Sequence, residues 1–312
     1  MQKNQQSRLL LWLCGACSCL AIGCRPPPQA PQGLKDTARY LLREFHADDA
    51  TFGAGLQGLM NWYNDEGHLL IGEAATVDNT ESFSLDVLTD EDVVGLPLRE
   101  DIVIEQAMGV VALANIGCSW QSLESYMVRA DQDVVSEDWE GYQRSFLSSR
   151  SDFENATLSD DYARINEAID PFDAEFDPAE FGSSVLMTDN IANPGPILFT
   201  DLPAYGVRLH LRHGVFTIDD GETGAVVALS FTSDPVYDDN GSSGLLQSYS
   251  VEVIIDQGSG QSLRLLALWN DSFGPGVESD SAIVLNYAVN RALDSADHLS
   301  DLCAGMIDIP DE

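Results

Sequence analysis

Lysine is nearly missing from this 312-residue chain: Lys3 and Lys35 are the only two, and the other 13 basic residues are arginine. A catalytic lysine, as a Schiff-base former or a general base, is therefore all but excluded from the body. Positive charge as a whole is scarce, with 15 bases against 51 acids and a net charge of −36. That balance excludes the basic footprint a nucleic-acid binder needs, and equally a basic helix lying on an anionic membrane. Past the N-terminus there is no apolar run of about 20 residues, so no internal membrane-spanning helix is expected. Catalytic signatures are also lacking: no Gly-x-Ser-x-Gly, no His-Glu-x-x-His, no phosphate-binding loop, no Gly-x-Gly-x-x-Gly, and no Ser-x-x-Lys in the body. No cofactor is expected. What the chain does have is 44% hydrophobic residues, which excludes wholesale disorder and supports a sizeable buried core.

The N-terminus reads as an address. Lys3 and Arg8 precede a short apolar run from Leu9 to Ile22, the charged and hydrophobic regions of a secretory signal. The run ends Ala21-Ile22-Gly23-Cys24. This segment resembles the bacterial lipoprotein family, whose signal closes on a small or apolar triplet with glycine directly before a cysteine; Ala21 stands where leucine is commonest. The resemblance implies lipidation of Cys24, a palmitate-type anchor in the bilayer, and cell-envelope localisation. Arg25 follows the cysteine in place of the aspartate that retains enteric lipoproteins at the inner membrane, so the outer membrane is favoured. Ordinary secretion is the alternative. Cleavage would remove Lys3, Arg8 and no acid, taking the net charge from −36 to −38. The Pro-rich stretch from Cys24 to Gly33 is an extended tether.

Of the six cysteines, Cys14, Cys17 and Cys19 leave with the signal and Cys24 carries lipid. Cys118 and Cys303 remain, and in an exported chain they are expected to form one disulfide. The alternative is two buried thiols.

Four regions follow: residues 1–23 as signal, 24–33 as tether, 34–100 as a helical and irregular segment packing on the body, and 101–312 as an α+β domain. Leu34–His46 and Phe52–Asn64 have helical spacing and a short link, which predicts a helical hairpin. Val110–Ala114 is a buried strand, and Ser119 caps a helix through Val128 with Glu124 in support. Trp139–Leu147 is a returning strand. Residues 152–180 hold ten acids and one base and read as a solvated excursion. Tyr205–Ile218, Ala225–Ser233, Leu246–Asp256 and Leu263–Asn270 are strands joined by hairpin turns at Asp219–Glu222 and Gln257–Gly260. Ser184–Thr188 and Ile197–Thr200 are shorter ones. Ser279–Leu302 closes the chain as a helix, with Ile283, Tyr287, Val289 or Asn290, Leu293 and Leu299 inward.

The fold class is therefore α+β: an antiparallel meander packed on a long C-terminal helix, preceded by an N-terminal helical hairpin. From Val110 to Cys303 this order resembles the helix-grip fold of START-like and Bet v 1-like domains, in which a curved sheet wraps a C-terminal helix. The resemblance implies a cavity between sheet and helix, and hence a small apolar or amphipathic ligand. A Cys118–Cys303 bridge would staple the first strand of that unit to the closing helix.

Several residues are candidates for ligand contact. Arg208, His210 and Arg212 share one face of a strand, where they would hold an anionic headgroup or else pair with acids such as Glu252. Trp120 and Trp269, with Trp139, Tyr142, Phe231 and Tyr249, line a cavity or fill a core. His210 and His213 point to opposite faces of a strand, which argues against a metal pair. Asp238-Asp239-Asn240-Gly241 lacks the first aspartate and the distal glutamate of a calcium loop. No metal is expected. Three functions stay open: a non-enzymatic, envelope-anchored binding protein, an interaction lipoprotein with a filled core and an unnamed protein partner, and an enzyme without a recognisable motif.

Overall fold

The structure, a computed structural model, describes residues 29–309 apart from 97, 100, 130–131, 137–138, 148–183, 195–201, 219–220, 233, 275–276 and 279–281. The signal, Cys24, the acidic excursion and the expected strand Ile197–Thr200 lie outside the described residues.

Helix α1 (Leu34–Arg43) buries Ala38, Leu41 and Leu42, the apolar stripe of its sequence, and carries Asp36 in its first turn and Arg43 in its last, complementing its dipole. Helix α2 (Asp49–Asp65) starts three residues earlier than its apolar pattern suggests. The reason is a cap: the Asp48 carboxylate accepts a 2.8 Å hydrogen bond from Thr51 N. The two helices form the expected hairpin. Short pieces follow, α3 (Thr80–Phe83) and β1 (Ser84–Leu85), and then β2 (Met108–Ile116). Helix α4 (Trp120–Met127) is capped by Ser119, which accepts from Ser122 N at 3.2 Å. Glu124 plays no part in that cap; its carboxylate pairs with His213.

The remaining elements are α5 (Gln132–Val135), β3 (Trp139–Leu147), β4 (Ser184–Pro194), β5 (Tyr205–Ile218), β6 (Gly221–Thr232), β7 (Val236–Tyr237), β8 (Gly244–Gly258), β9 (Gln261–Gly274), β10 (Val277–Glu278) and α6 (Ala282–Cys303). All strands among the described residues join one antiparallel sheet in the order β1-β2-β9-β8-β6-β5-β4-β3, with β7 beside β8 and β10 beside β9. Seven of these strands are long. The chain meanders from β3 to β9, and β2 closes against the last long strand. This is the expected α+β arrangement, an antiparallel meander with the C-terminal helix α6 packed along β2 on one face of the sheet.

The sheet is a middle layer. On one face, Val111, Leu113, Val227, Leu229, Val251, Val253, Leu265 and Trp269 merge with Leu41, Phe45, Phe52 and Leu56 of the hairpin into a single core. On the other, Ala114, Ile116, Val226 and Ile254 meet the end of α6 at Ala296, Leu299 and Leu302. Val110 and Ala112 meet its beginning at Leu285 and Val289. Helix α6 is rotated relative to its apolar pattern: Ile283 is 66% exposed, and Ala292 and Ala296 are buried instead. Asn290 fixes the rotation, because its amide accepts from Ala75 N at 3.1 Å and donates to Ala75 O at 3.3 Å. Small side chains then face the sheet and let the helix approach it closely. Cys118 and Cys303 form the expected disulfide, with Cα atoms 5.6 Å apart, joining the end of β2 to the end of α6.

Candidate functional site

Strand alternation sends Arg208, His210 and Arg212 to the hairpin side of β5, away from α6, while Leu209, Leu211 and His213 face the other way. The three basic side chains are buried. Arg212 Nη1 donates to Phe45 O and Ala47 O, both at 2.8 Å, and Nη2 contacts the Asp49 carboxylate at 2.5 Å. Its guanidinium also lies 4.3 Å from the centroid of the Phe52 ring. Burial pushes this guanidinium below its usual pKa, and the Asp49 carboxylate opposes that shift. Next to it, His46 and His210 touch Nε2 to Nδ1 at 2.5 Å, one imidazole donating to the other. Arg212 therefore pins the α1–α2 link, residues 44–48, to the sheet. Glu252, the acid expected opposite this stripe, sits on the other face and pairs with Arg264 at 2.6 Å.

The aromatic candidates divide likewise. Trp269 is on the hairpin side, 0% exposed, with its indole N–H donating to Asp86 O at 2.9 Å. Gly109 makes room for it, since a Cβ there would fall 2.4 Å from the indole nitrogen. Phe231 and Tyr249 share that core. Tyr249 donates to Gln247 Oε1 at 3.1 Å, and burial raises its phenol well above the ordinary value. Trp120 lies on the α6 side, over Gly224, where a Cβ would fall 2.0 Å from the ring. The side chains of Trp139 and Tyr142 lie outside the described residues. Asp238 closes its own turn, its carboxylate accepting from Ser242 N at 2.8 Å and from Ser243 Oγ at 2.9 Å. No group of three or more His, Cys, Asp or Glu side chains among the described residues is placed to hold a metal ion.

The two faces of the sheet are unequally filled. On the hairpin side, Tyr249, Val251, Val253, Ile255, Leu263, Leu265 and Ala267 are all buried. On the α6 side, among the described residues, one end of the sheet is sealed, where α4, the disulfide and the end of α6 cover Val226, Leu211 and Ile254. Beyond that end, Val207, Leu209, Ser230, Ser248, Ser250, Glu252, Leu266, Leu268 and Asn270 are half-buried. They form a strip across β5, β6, β8 and β9 beside α6, with apolar margins and a polar middle. Ser230 and Ser250 share a 2.7 Å hydroxyl–hydroxyl hydrogen bond. Arg264, beside Glu252, also donates from Nη1 to Ala292 O at 2.9 Å and ties α6 to the floor. At about 100° per residue, Val284, Ala288, Arg291 and Ser295 lie on the flank of α6 opposite Asn286 and Asn290. Asn286 and Asn290 are bonded to the Thr80 and Ala75 segment at the β1 edge, so the opposite flank looks over the strip. Of the polar members of the strip, only Glu252 is among the residues singled out by the sequence. Their signal was the alternation Ser248-Tyr249-Ser250-Val251-Glu252-Val253, whose polar half has no reason to sit beneath a helix unless something polar meets it.

No protein-family model and no curated protein matches the chain. Among solved structures, a START superfamily protein from Mycobacterium smegmatis is similar at 9% identity and a TM-score of 0.33, covering 64% of this chain and 98% of its own. The lipid transfer and protein localization domain of human StarD13 (DLC2) is similar at 13% identity and a TM-score of 0.29, covering 70% of this chain and 92% of its own.

Proposed function

We propose that the chain is a non-enzymatic binding protein that holds an apolar or amphipathic ligand between the sheet and α6. One observation carries this reading: among the described residues, the sheet face beside α6 is half-buried along a strip of mixed character, while the opposite face is buried under the hairpin. Leu209, Leu266 and Leu268 offer apolar surface to a chain or ring, and Ser230, Ser250 and Asn270 offer hydrogen-bonding partners to its polar end. The deciding experiment is native mass spectrometry of the purified exported chain before and after organic extraction. A bound mass that leaves on extraction is the expected result. A clean apo mass that takes up no added amphiphile would overturn the reading in favour of a protein-interaction module.

The charged and apolar leader, the Gly23-Cys24 pair and the Pro-rich tether support an exported protein held to the bilayer by lipidated Cys24, with the outer membrane favoured by Arg25. Cys24→Ala is expected to move the protein from the membrane fraction to the soluble envelope fraction. Unchanged partitioning of the variant would contradict the anchor.

A further inference from the structure

Resting on the binding reading above, we infer that the ligand carries a neutral, hydroxylated head and that Asn270 receives it. Asn270 belongs to the α6 side of β9, since its neighbour Trp269 fills the core on the other side. It stands opposite Met108 of β2 and Ser248 of β8. Its side-chain Oδ1 is buried and meets no hydrogen-bond partner among the described residues. A buried amide oxygen without a partner is costly, and ligand sites are where such groups find one. Rotating the amide would bury its NH2 in the same place; a hydroxyl, which both donates and accepts, satisfies either orientation.

The charge of the strip argues for neutrality. The cation of its floor, Arg264, is held by Glu252 at 2.6 Å and by Ala292 O at 2.9 Å, and Arg291 on the overlooking flank of α6 also has a partner. An anionic head would have to displace Glu252 while approaching a protein of net charge −36. The cluster that would select an anion, Arg208 with Arg212, lies on the far face of the sheet. Among the described residues, the side chains that the next strands set beside the orphaned amide are uncharged: Ser248 of β8, and the hydroxyl pair of Ser250 on β8 with Ser230 on β6. Leu266 and Leu268, on the same face of β9, extend the site with apolar surface. The head is thus met by an amide and hydroxyls, and the body by leucines.

The test compares 1-monooleoylglycerol with oleate at pH 8, where chain length is matched and only the head differs, and with glycerol, which has the head and no chain. The intact exported chain is expected to bind the monoacylglycerol at least about tenfold more tightly than oleate and to ignore glycerol at the same concentration. Asn270→Leu is expected to erase that preference while retaining chain binding. Asn270→Asp, which keeps an acceptor of similar size, is expected to restore it, so a misfolded leucine variant does not decide the matter. Equal or tighter binding of oleate, competition by glycerol alone, or an unchanged preference in a folded Asn270→Leu protein overturns the head-group assignment and leaves the binding function standing. Failure of both amphiphiles to bind the native protein overturns the binding function itself, and this inference with it.

Discussion

Reduction of the Cys118–Cys303 bridge is expected to destabilise the protein by up to about 5 kcal/mol, the upper figure that chain entropy allows for a loop of this size. The two cysteines are 185 residues apart, so the bridge constrains nearly the whole body of the unfolded chain. In the folded protein it sits where several other contacts converge. Cys118 is buried beside Ile116, Leu299 and Leu302, and Ser262 Oγ donates to Cys118 O at 2.9 Å. The neighbouring core limits how far α6 can move once the bridge is cut, so the fold is expected to survive reduction with a lower denaturation midpoint. Urea titrations with and without reductant check this. A midpoint unmoved by reductant would mean that the packing of α6 alone sets the stability of this end.

Arg212→Ala is the other large effect, expected at about 3–5 kcal/mol. The substitution strands two carbonyls, Phe45 O and Ala47 O, that have the guanidinium as a shared donor, and it leaves Asp49 without its nearest cation. It also opens a void beside Phe52 and Phe216, whose ring centroids lie 4.3 and 5.8 Å from the guanidinium carbon. Arg212→Met fills that void and removes the charge but not the need for donors, so it should recover only part of the loss. Hydrogen exchange resolves the location: residues 44–52 should lose protection before the strands do. Protection lost uniformly across the molecule would mean that Arg212 supports the sheet rather than the hairpin.

The same stripe shows where sequence reasoning stops. The alternation of β5 was legible from Tyr205 to Ile218 because a period of two is a property of the strand itself. Which layer each face meets is not, since the face that carries Arg208, His210 and Arg212 is the one that lies buried under the hairpin. His46 and His210 come together across 164 residues, and no local pattern announces such a meeting. For α6 the helix and its length were readable but its rotation was not. Ile283 is the more hydrophobic side chain, yet the pairing of Asn290 with Ala75 turns it outward. The start of α2 was hidden in a different way, because Asp48 looks like one more acid in an acidic link until its carboxylate is seen on Thr51 N. The disulfide and the order of the meander were accessible because each rests on few alternatives: two remaining cysteines, and hairpin turns that leave successive strands adjacent. The strip under α6 needed the structure, since half-burial on one face of a sheet depends on what lies above it.

The account rests on that strip receiving a ligand, and filling it is the direct test. Ser250 lies in its middle, half-buried on the α6 side and opposite Ser230. Binding of a fluorescent long-chain amphiphile should be measured for the native protein and for Ser250→Trp, with the denaturation midpoint of each recorded. The prediction is saturable binding by the native protein and its loss in a variant that still folds cooperatively. Binding by a folded Ser250→Trp protein with unchanged affinity would contradict the account, because the ligand would then lie elsewhere.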